Sequence, residues 1–301
     1  MTHLFCMITT KSSAKYTPVA LESFFETTPF SVEDKFLLID NDGGYSLPPV
    51  FADRVALERN PAPRGFAENM NRGIELALAH GWDLVLLNND LVLTEGWFQA
   101  LLRDRNAISS PLSNREVRYN TPSFNTDTVM TLEEYQKNPK GLKDLVTAHR
   151  HAAEGLMRVI VLPFFCVRLP HQVLKTLGLL DVEFGKGGGE DYDYCLRAWL
   201  AGFSVKFALQ SYVLHFGGKS SYAGAETKEQ QDSREFGFRV HFGYKWGESL
   251  LRLCLFEDRE IIVAGDDLDQ LIQSGQHSEA IRRLIGNRHI PLHLGSRNPS
   301  F

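Results

Sequence analysis

Cysteine is scarce in this chain. Cys6, Cys166, Cys195 and Cys254 are the only four, and they lie far apart. None belongs to a CxxC pair, so a structural zinc site is not expected. Cys6, Cys166 and Cys195 sit within apolar segments and read as reduced core thiols of a cytosolic protein. Long apolar runs are missing too. None approaches the ~18 residues that a membrane-spanning helix requires, although contact with a membrane surface stays open. The N-terminus shows no basic region followed by an apolar run, so no signal peptide is expected. Charge of one sign is in small excess: a formal net charge of -5 gives no nucleic-acid footprint over the whole chain. Internal repeats and low-complexity tracts are also lacking, which sets aside repeat arrays.

What is present is a globular composition, 43% hydrophobic and 23% charged, in 301 residues. That length suffices for one large α/β domain or two small ones. Residues 3–9 (HLFCMIT) read as a first strand, Pro18 to Phe25 as a short helix, and Lys35 to Ile39 (KFLLI) as a second strand. Val55 to Glu58 is a short third strand. Gly65 to His80 is a helix with a broad apolar face, stopped by Gly81. Leu84 to Leu87, preceded by Trp82, is a buried strand, and Trp97 to Leu102 starts another helix. This order, β-α-β-β-α-β-α, argues a mostly parallel sheet with helices on its faces.

Residues 111–158 break the pattern with polar residues, including Asn114, Asn120, Asn125 and Asn138. They read as an insertion with surface helices at Thr131 to Lys137 and Leu142 to Leu156. Val159 to Val167 (VIVLPFFCV) returns as a buried strand. Helices follow at His171 to Leu177 and Glu190 to Ala201, then a strand at Val205 to Leu209. Phe236 to Leu255 carries enough aromatics to pack on the core, and residues 286–301 form a polar tail. The expected division is a domain over 1–235, with the insertion at about 111–158, and a C-terminal helical extension and tail over 236–301.

Polar clusters fall at the ends of the apolar segments. Asp40-Asn41-Asp42-Gly43-Gly44 ends the second strand. Asp40 is placed to accept hydrogen bonds from a base or ribose, and the glycines allow close backbone approach; the same residues also make an ordinary Asp-Gly turn. Between Asn60 and Gly73 a glycine and two asparagines lie near a helix start, where backbone N–H groups favour anions. Arg64 adds positive charge; N-capping and helix packing explain the same residues. Asn88-Asn89-Asp90 ends the strand over Leu84 to Leu87. A carboxylate at such a tip faces the crevice where open α/β sheets bind ligands, and oxygen ligands there suit Mg²⁺ or Mn²⁺ carrying phosphates. A polar loop capping a core strand is the other reading. Gly187-Gly188-Gly189-Glu190-Asp191-Tyr192-Asp193 runs into a helix that carries Arg197. The helix dipole accounts for one acid in the first turn, but it does not call for three acids behind three glycines. His215, structural if taken alone, becomes with Asp90 a candidate for a mixed N/O metal site.

These residues, in this order, resemble the family 2 glycosyltransferases, especially the rhamnosyltransferase-like branch. The matching positions are Asp40, then Asn60, Gly65, Phe66, Asn71 and Gly73, then Asp83 with Asn88 and Asp90. Gly188, Glu190, Asp191, Asp193 and Arg197 follow, and His215 comes last. The resemblance covers roughly residues 3–220, and in weaker form Lys245-Trp246-Gly247. It implies a GT-A fold, Rossmann-like, and inverting transfer of a sugar from a nucleotide-diphosphate sugar to an acceptor hydroxyl, a hexosyltransferase activity dependent on Mn²⁺ or Mg²⁺. Asn88-Asn89-Asp90 fills the place of the family's DxD motif, with Asn88 where the first Asp usually stands. Asp90 is then the expected metal ligand, His215 its partner, and Asp191 the catalytic base. Thr9, Asp40, Arg64, Asn71 and Asn89 are the candidates to hold the nucleotide; Glu190, Gly188 and Gly189 are the candidates to meet the acceptor. The implied donor is a UDP- or dTDP-sugar, and the acceptor a glycan, a lipid-linked molecule or a protein. No nucleic-acid partner and no transmembrane segment are expected, and the expected location is cytoplasmic, with peripheral membrane contact allowed.

The chemistry is consistent without the family name. In-line displacement at an anomeric carbon needs a base on one face of the sugar and leaving-group stabilisation on the other. Asp191 and Asp90 lie on separate loops and supply one role each. Two rivals stand beside this reading. A sugar-nucleotide nucleotidyltransferase usually has a Gly-rich loop after its first strand, whereas Thr9-Thr10-Lys11-Ser12-Ser13 has no glycine. A catalytically inactive sugar-binding relative would be expected to lose an acid at the base or metal position, and both Asp90 and Asp191 are present.

Overall fold

Side-chain alternation along the first strand sets the layers. In β1 (His3–Thr9) every residue is buried, with Leu4, Cys6 and Ile8 in one apolar cluster and Phe5 and Met7 in another. A strand buried on both faces must be covered on both by other elements. α1 (Thr17–Thr27) supplies Leu21 and Phe24 to the second cluster. β2 (Lys35–Asp40), β3 (Ala56–Arg59), α2 (Phe66–His80) and β4 (Asp83–Leu87) follow. α2 places Met70, Ile74 and Ala77 in the first cluster, opposite α1. It ends at Gly81, whose left-handed φ of 72° lets the chain turn sharply into β4.

A computed structural model describes residues 2–114, 130–152, 154–217 and 226–286. Its remaining elements are β5 (Leu91–Leu93), α3 (Trp97–Leu101), β6 (Ile108–Ser113), α4 (Leu132–Lys137), α5 (Pro139–Ala152), β7 (Leu156–Arg158), β8 (Cys166–Leu169), α6 (His171–Leu177), α7 (Glu190–Leu200), β9 (Val205–His215), α8 (Lys228–Trp246), α9 (Glu248–Leu255), α10 (Asp267–Gln273) and α11 (His277–Gly286). One nine-stranded sheet runs β3-β2-β1-β4-β8-β6-β9-β5, with β7 also on β9. β1 pairs parallel with β2 and β4, β2 with β3, and β6 with β9. β8 joins β4 to β6 through two antiparallel pairings. Thus β1, β2, β3, β4, β6 and β9 point one way, and β5, β7 and β8 the other. The sheet is mostly parallel and flanked by helices, as the alternation of apolar segments predicts.

The structure departs from the sequence reading in several places. Val159 to Val167 is not one strand; pairing starts only at Cys166. The stretch before it is buried but irregular. Its burial comes from packing on α7: Trp199 Nε1 donates to the carbonyls of Val159 and Ile160, and Pro163 has no N–H to offer a ladder. Residues 111–113 and 156–158 of the expected insertion are sheet strands, β6 and β7, and α5 ends before Leu156. β9 runs on past Leu209 to His215. α8 starts at Lys228, ahead of the expected extension. Asn120, Asn125 and the tail beyond Gly286 lie outside the described residues.

All four cysteines are buried and reduced. Burial, then the charge of Glu58, pushes the Cys6 thiol up to about 12, and burial raises Cys166 and Cys195 as well. At the start of β4, Asp83 pairs with the wholly buried Arg168 of β8, Nη2 to Oδ2 at 2.6 Å and Nε to Oδ2 at 3.2 Å. Arg168 also donates to the carbonyls of Asp104 and Arg105, so its guanidinium is satisfied inside the protein. No helix among the described residues is long and apolar enough to cross a membrane.

Candidate active site

The carboxyl ends of β1, β2 and β4 converge, as they must in a parallel sheet, and their polar termini meet there. Beyond β4, the three-residue β5 pairs antiparallel with the end of β9, placing Leu91 opposite His215. Asp90 precedes Leu91, so this register brings its carboxylate to the imidazole: Asp90 Oδ1 and His215 Nε2 are 3.4 Å apart. Asp90 is fully buried and His215 nearly so. The backbone N–H of Phe216 donates to the Asp90 carbonyl, and that of His215 to Asn114 Oδ1.

This pair fits a hard divalent cation in its donor chemistry. Adjacent ligands on an octahedral Mg²⁺-sized ion, at about 2.1 Å each, stand about 3 Å apart, close to the spacing seen. Among the described residues no three His, Cys, Asp or Glu side chains converge as a metal-binding group. Among the described residues, Asp90 and His215 would offer such an ion one oxygen and one nitrogen, with phosphate oxygens and water able to fill further positions.

α7 opens at Gly189, with Glu190 and Asp191 in its first turn. Asp191 Oδ2 accepts from the backbone N–H of Phe164 at 3.3 Å. The next residue, Phe165, stacks on His215 with ring centres 5.0 Å apart and planes at 15°, and its carbonyl accepts from Asn88 N at 2.7 Å. The two candidate acids, Asp191 and Asp90, are thus joined through consecutive residues of one buried segment. Glu190 is buried, and its Oε2 accepts from Gly188 N at 2.5 Å. Burial, then the charge of Asp191, pushes the Glu190 carboxyl up to about 8. Asp193 faces elsewhere: Arg197, Lys245 and Trp246 Nε1 all bind its buried carboxylate. It ties α8 to α7.

A cavity of about 570 Å³ lies beside these loops, lined among others by Thr10, Asn41, Asp42, Arg64, Gly65 and Lys186. Its floor is a network centred on Asn41. Asn41 Oδ1 accepts from Asn60 Nδ2, Asn69 Nδ2 and Arg64 N, each at 2.9 Å, and Asn41 Nδ2 donates to the Arg64 carbonyl. Gly65, the N-cap of α2, has no room for a side chain: a Cβ there would stand 2.4 Å from the Gly185 carbonyl oxygen. Any side chain would force α2 and the 182–188 loop apart.

The residues expected to hold a nucleotide divide into two groups. Arg64 is exposed on the cavity wall. Asp40 Oδ2 accepts from Tyr45 N at 2.9 Å, while Oδ1 is buried with no hydrogen-bond partner among the described residues. The others make inward hydrogen bonds, although Asn89 Oδ1 is buried with no partner among the described residues. Thr9 Oγ1 bonds to Thr17 Oγ1, and Asn89 Nδ2 bonds to Ser13 and Thr17, fixing the Asp90 loop to the start of α1. Asn71 is braced on the backbone of Leu180 through both ends of its amide. Of the other residues lining the cavity, Asn41 and Asp42 belong to the polar cluster that ends the second strand but have no assigned role in the sequence reading, and Thr10 and Lys186 have none either. The signal available was their position: Thr10 follows β1, and Asn41 and Asp42 follow β2. Gly188 and Gly189 lie in the loop entering α7, with φ of 132° and 86°.

No protein-family model matches the chain, and no curated protein sequence does. Among solved structures it is similar to GalNAc-T7 crystallised with UDP, GalNAc and Mn²⁺, with 16% identity and a TM-score of 0.60 over 97% of this chain and 58% of that one. This chain therefore spans less than two thirds of that structure. It is also similar to the mannosyltransferase PcManGT from Pyrobaculum calidifontis in complex with GDP-Man and Mn²⁺, with 11% identity over 96% of this chain and 88% of that one. The TM-score of 0.48 there is too low to bear on the fold. At 16% identity the first likeness shows the fold alone: mixed α/β, with a mostly parallel central sheet flanked by helices, matching a GT-A glycosyltransferase.

Proposed function

We propose that this chain is an inverting, metal-dependent glycosyltransferase of the family 2 type, close to its rhamnosyltransferase-like branch. The observation that carries this reading is the Phe164-Phe165 step, which joins Asp191 on one side to His215 and the Asp90 loop on the other. Displacement at an anomeric carbon needs a base and a leaving-group site held at a fixed separation, and consecutive buried residues hold these two.

In this reading the nucleotide lies over the ends of β1 and β2, in the cavity of about 570 Å³. Asp40 Oδ1 accepts from its base or ribose, and Arg64 offsets phosphate charge. A Mn²⁺ or Mg²⁺ held by Asp90 and His215 would neutralise the charge that gathers on the departing diphosphate. Asp191 takes the proton of the acceptor hydroxyl as that oxygen bonds to the anomeric carbon. The bond from this carbon to the diphosphate oxygen breaks, its electron pair leaving with the diphosphate. Because attack and departure occur on opposite faces, configuration inverts. Glu190, protonated at neutral pH by its raised affinity, acts as a hydrogen-bond donor toward acceptor or loop. The donor is a UDP- or dTDP-sugar, and the acceptor a glycan, lipid-linked molecule or protein.

The test is a melting-temperature panel of UDP-, dTDP- and GDP-sugars with and without MnCl₂. A donor present at 100 times its Kd stabilises by about 2.7 kcal/mol. The expected result is a metal-dependent shift with one nucleotide class, followed by slow release of free nucleoside diphosphate. Absence of a shift with every nucleotide-sugar overturns the reading. A shift without any release, even with acceptors supplied, identifies a sugar-nucleotide binding protein instead.

A further inference from the structure

The loop that carries the candidate base contains three successive glycines, and something must hold it. Gly187, Gly188 and Gly189 have φ of 149°, 132° and 86°, conformations with a large entropy cost to fix. Gly188 N is held by Glu190 Oε2, two residues ahead. Phe184 packs against Gly189, and further contacts come from α8. Arg234 Nη1 donates to the Gly187 carbonyl at 3.1 Å. The same guanidinium is held from behind, Nε to Glu226 Oε2 at 3.1 Å. Arg234 and Glu226 side chains are only 22% and 7% exposed, so this ion pair is shielded from solvent screening more than surface pairs are. The other Glu226 oxygen faces Lys186 Nζ at 3.7 Å. One turn further along α8, Phe238 lies against Gly188: a Cβ there would stand 2.4 Å from the ring.

We propose that Arg234, anchored by Glu226, is a positioning residue that clamps Gly187 and thereby sets where Glu190 and Asp191 enter the cleft. The guanidinium fork suits this task, because it bonds a carboxylate with one nitrogen and a carbonyl with another in fixed relative geometry. A lysine has one nitrogen for the two acceptors. Arg234 also places positive charge near Glu190, and that charge opposes the rise in its proton affinity. The catalytic part of this inference rests on the glycosyltransferase reading; the clamp itself does not.

The experiment therefore has two readouts on the full chain. Hydrogen exchange of peptides spanning Gly185 to Asp191 is compared in the wild type and in Arg234→Gln, Arg234→Lys and Glu226→Gln. Loss of a charge-assisted hydrogen bond predicts roughly tenfold faster exchange at these amides in Arg234→Gln, with α8 unchanged. Arg234→Lys should fall between the wild type and Arg234→Gln. In parallel, kcat and KM for nucleoside diphosphate release are measured with the nucleotide-sugar giving the largest thermal shift. Arg234→Gln should lower kcat at least tenfold and leave donor KM within about twofold, with Arg234→Lys restoring part of kcat. Unchanged exchange over Gly185 to Asp191 overturns the clamp. So does exchange rising equally throughout α8, which would make Arg234 a helix stabiliser only. If Arg234→Gln does not fold, Glu226→Gln reads the same loop with an expected rise of about threefold, and no rise overturns the inference. If no nucleotide-sugar binds, the functional reading fails while the exchange result still decides the clamp.

Discussion

His215 Nε2 stands 3.4 Å from Asp90 Oδ1 because β5 and β9 pair with Leu91 opposite His215. A hydrogen-bonding register, not sequence proximity, makes the pair. Asp90→Ala should weaken Mn²⁺-dependent nucleotide binding by about two orders of magnitude or more, since even outer-shell changes around a metal cost roughly 10–100-fold. Metal-free stability should change far less. Calorimetry of UDP binding with MnCl₂ and with EDTA checks this, and an affinity unchanged by the substitution would remove Asp90 from the metal site.

Asp191→Asn keeps shape and the acceptor for Phe164 N but removes basicity. Turnover should fall about 10²–10⁴-fold, while nucleotide affinity stays near the wild-type value. Measuring both on the same preparation separates chemistry from binding. Near-normal turnover would pass the role of base to Glu190.

Glu190 makes folding stability depend on pH. Its carboxyl titrates near 4.5 without the fold and at about 8 within it. Below about 4.5 both states hold the proton. Between the two values only the folded protein does, so its stability falls as pH rises, and the loss levels off above about 8. Glu190→Gln cannot ionise and still offers an oxygen to Gly188 N. The stability of Glu190→Gln relative to the wild type should therefore grow across this window, as read from urea midpoints at successive pH values. A constant difference would contradict the assignment.

Arg168→Met leaves the Asp83 carboxylate buried beside, among the described residues, one backbone donor, His171 N. Removing one partner of a buried ion pair typically costs about 3–5 kcal/mol. Adding Asp83→Leu should recover most of that loss. Urea unfolding of both single variants and the double variant gives the coupling directly, and additive losses would show that the pair is weak.

The first half of the sheet was legible because β1, β2 and β4 are near-continuous apolar runs, the signature of strands buried on both faces. β5 was not, since Leu91-Val92-Leu93 is too short to announce itself. Without it the adjacency of Asp90 and His215 has no geometric basis in the sequence. Val159 to Phe165 misled for the opposite reason: an apolar run reports burial and leaves open whether strand pairing or helix packing causes it. At the site, Asn71 and Thr9 read as ligands in sequence, yet the Asn71 amide is engaged with Leu180 and the Thr9 hydroxyl with Thr17, while Asn89 is braced through Nδ2 on Ser13 and Thr17 and its buried Oδ1 has no hydrogen-bond partner among the described residues. Composition cannot separate an amide that braces a turn from one that meets a ligand. That depends on which backbone groups lie within 3 Å or so.

The four buried cysteines turn the chain into its own reporter of opening. Thiolates, not thiols, react with alkylating agents, and burial holds Cys6, Cys166 and Cys195 in the protonated form. Labelling must then wait for local or global unfolding. Cys6 sits in a central strand, whereas Cys195 lies in α7 directly behind the segment that joins the two candidate acids, its sulfur accepting from Leu162 N. The ratio of their modification rates measures whether this wall of the candidate site breathes independently of the sheet. A cysteine engineered onto the surface would meanwhile be the sole rapidly reactive thiol among the described residues, available for a fluorophore without removing any native one.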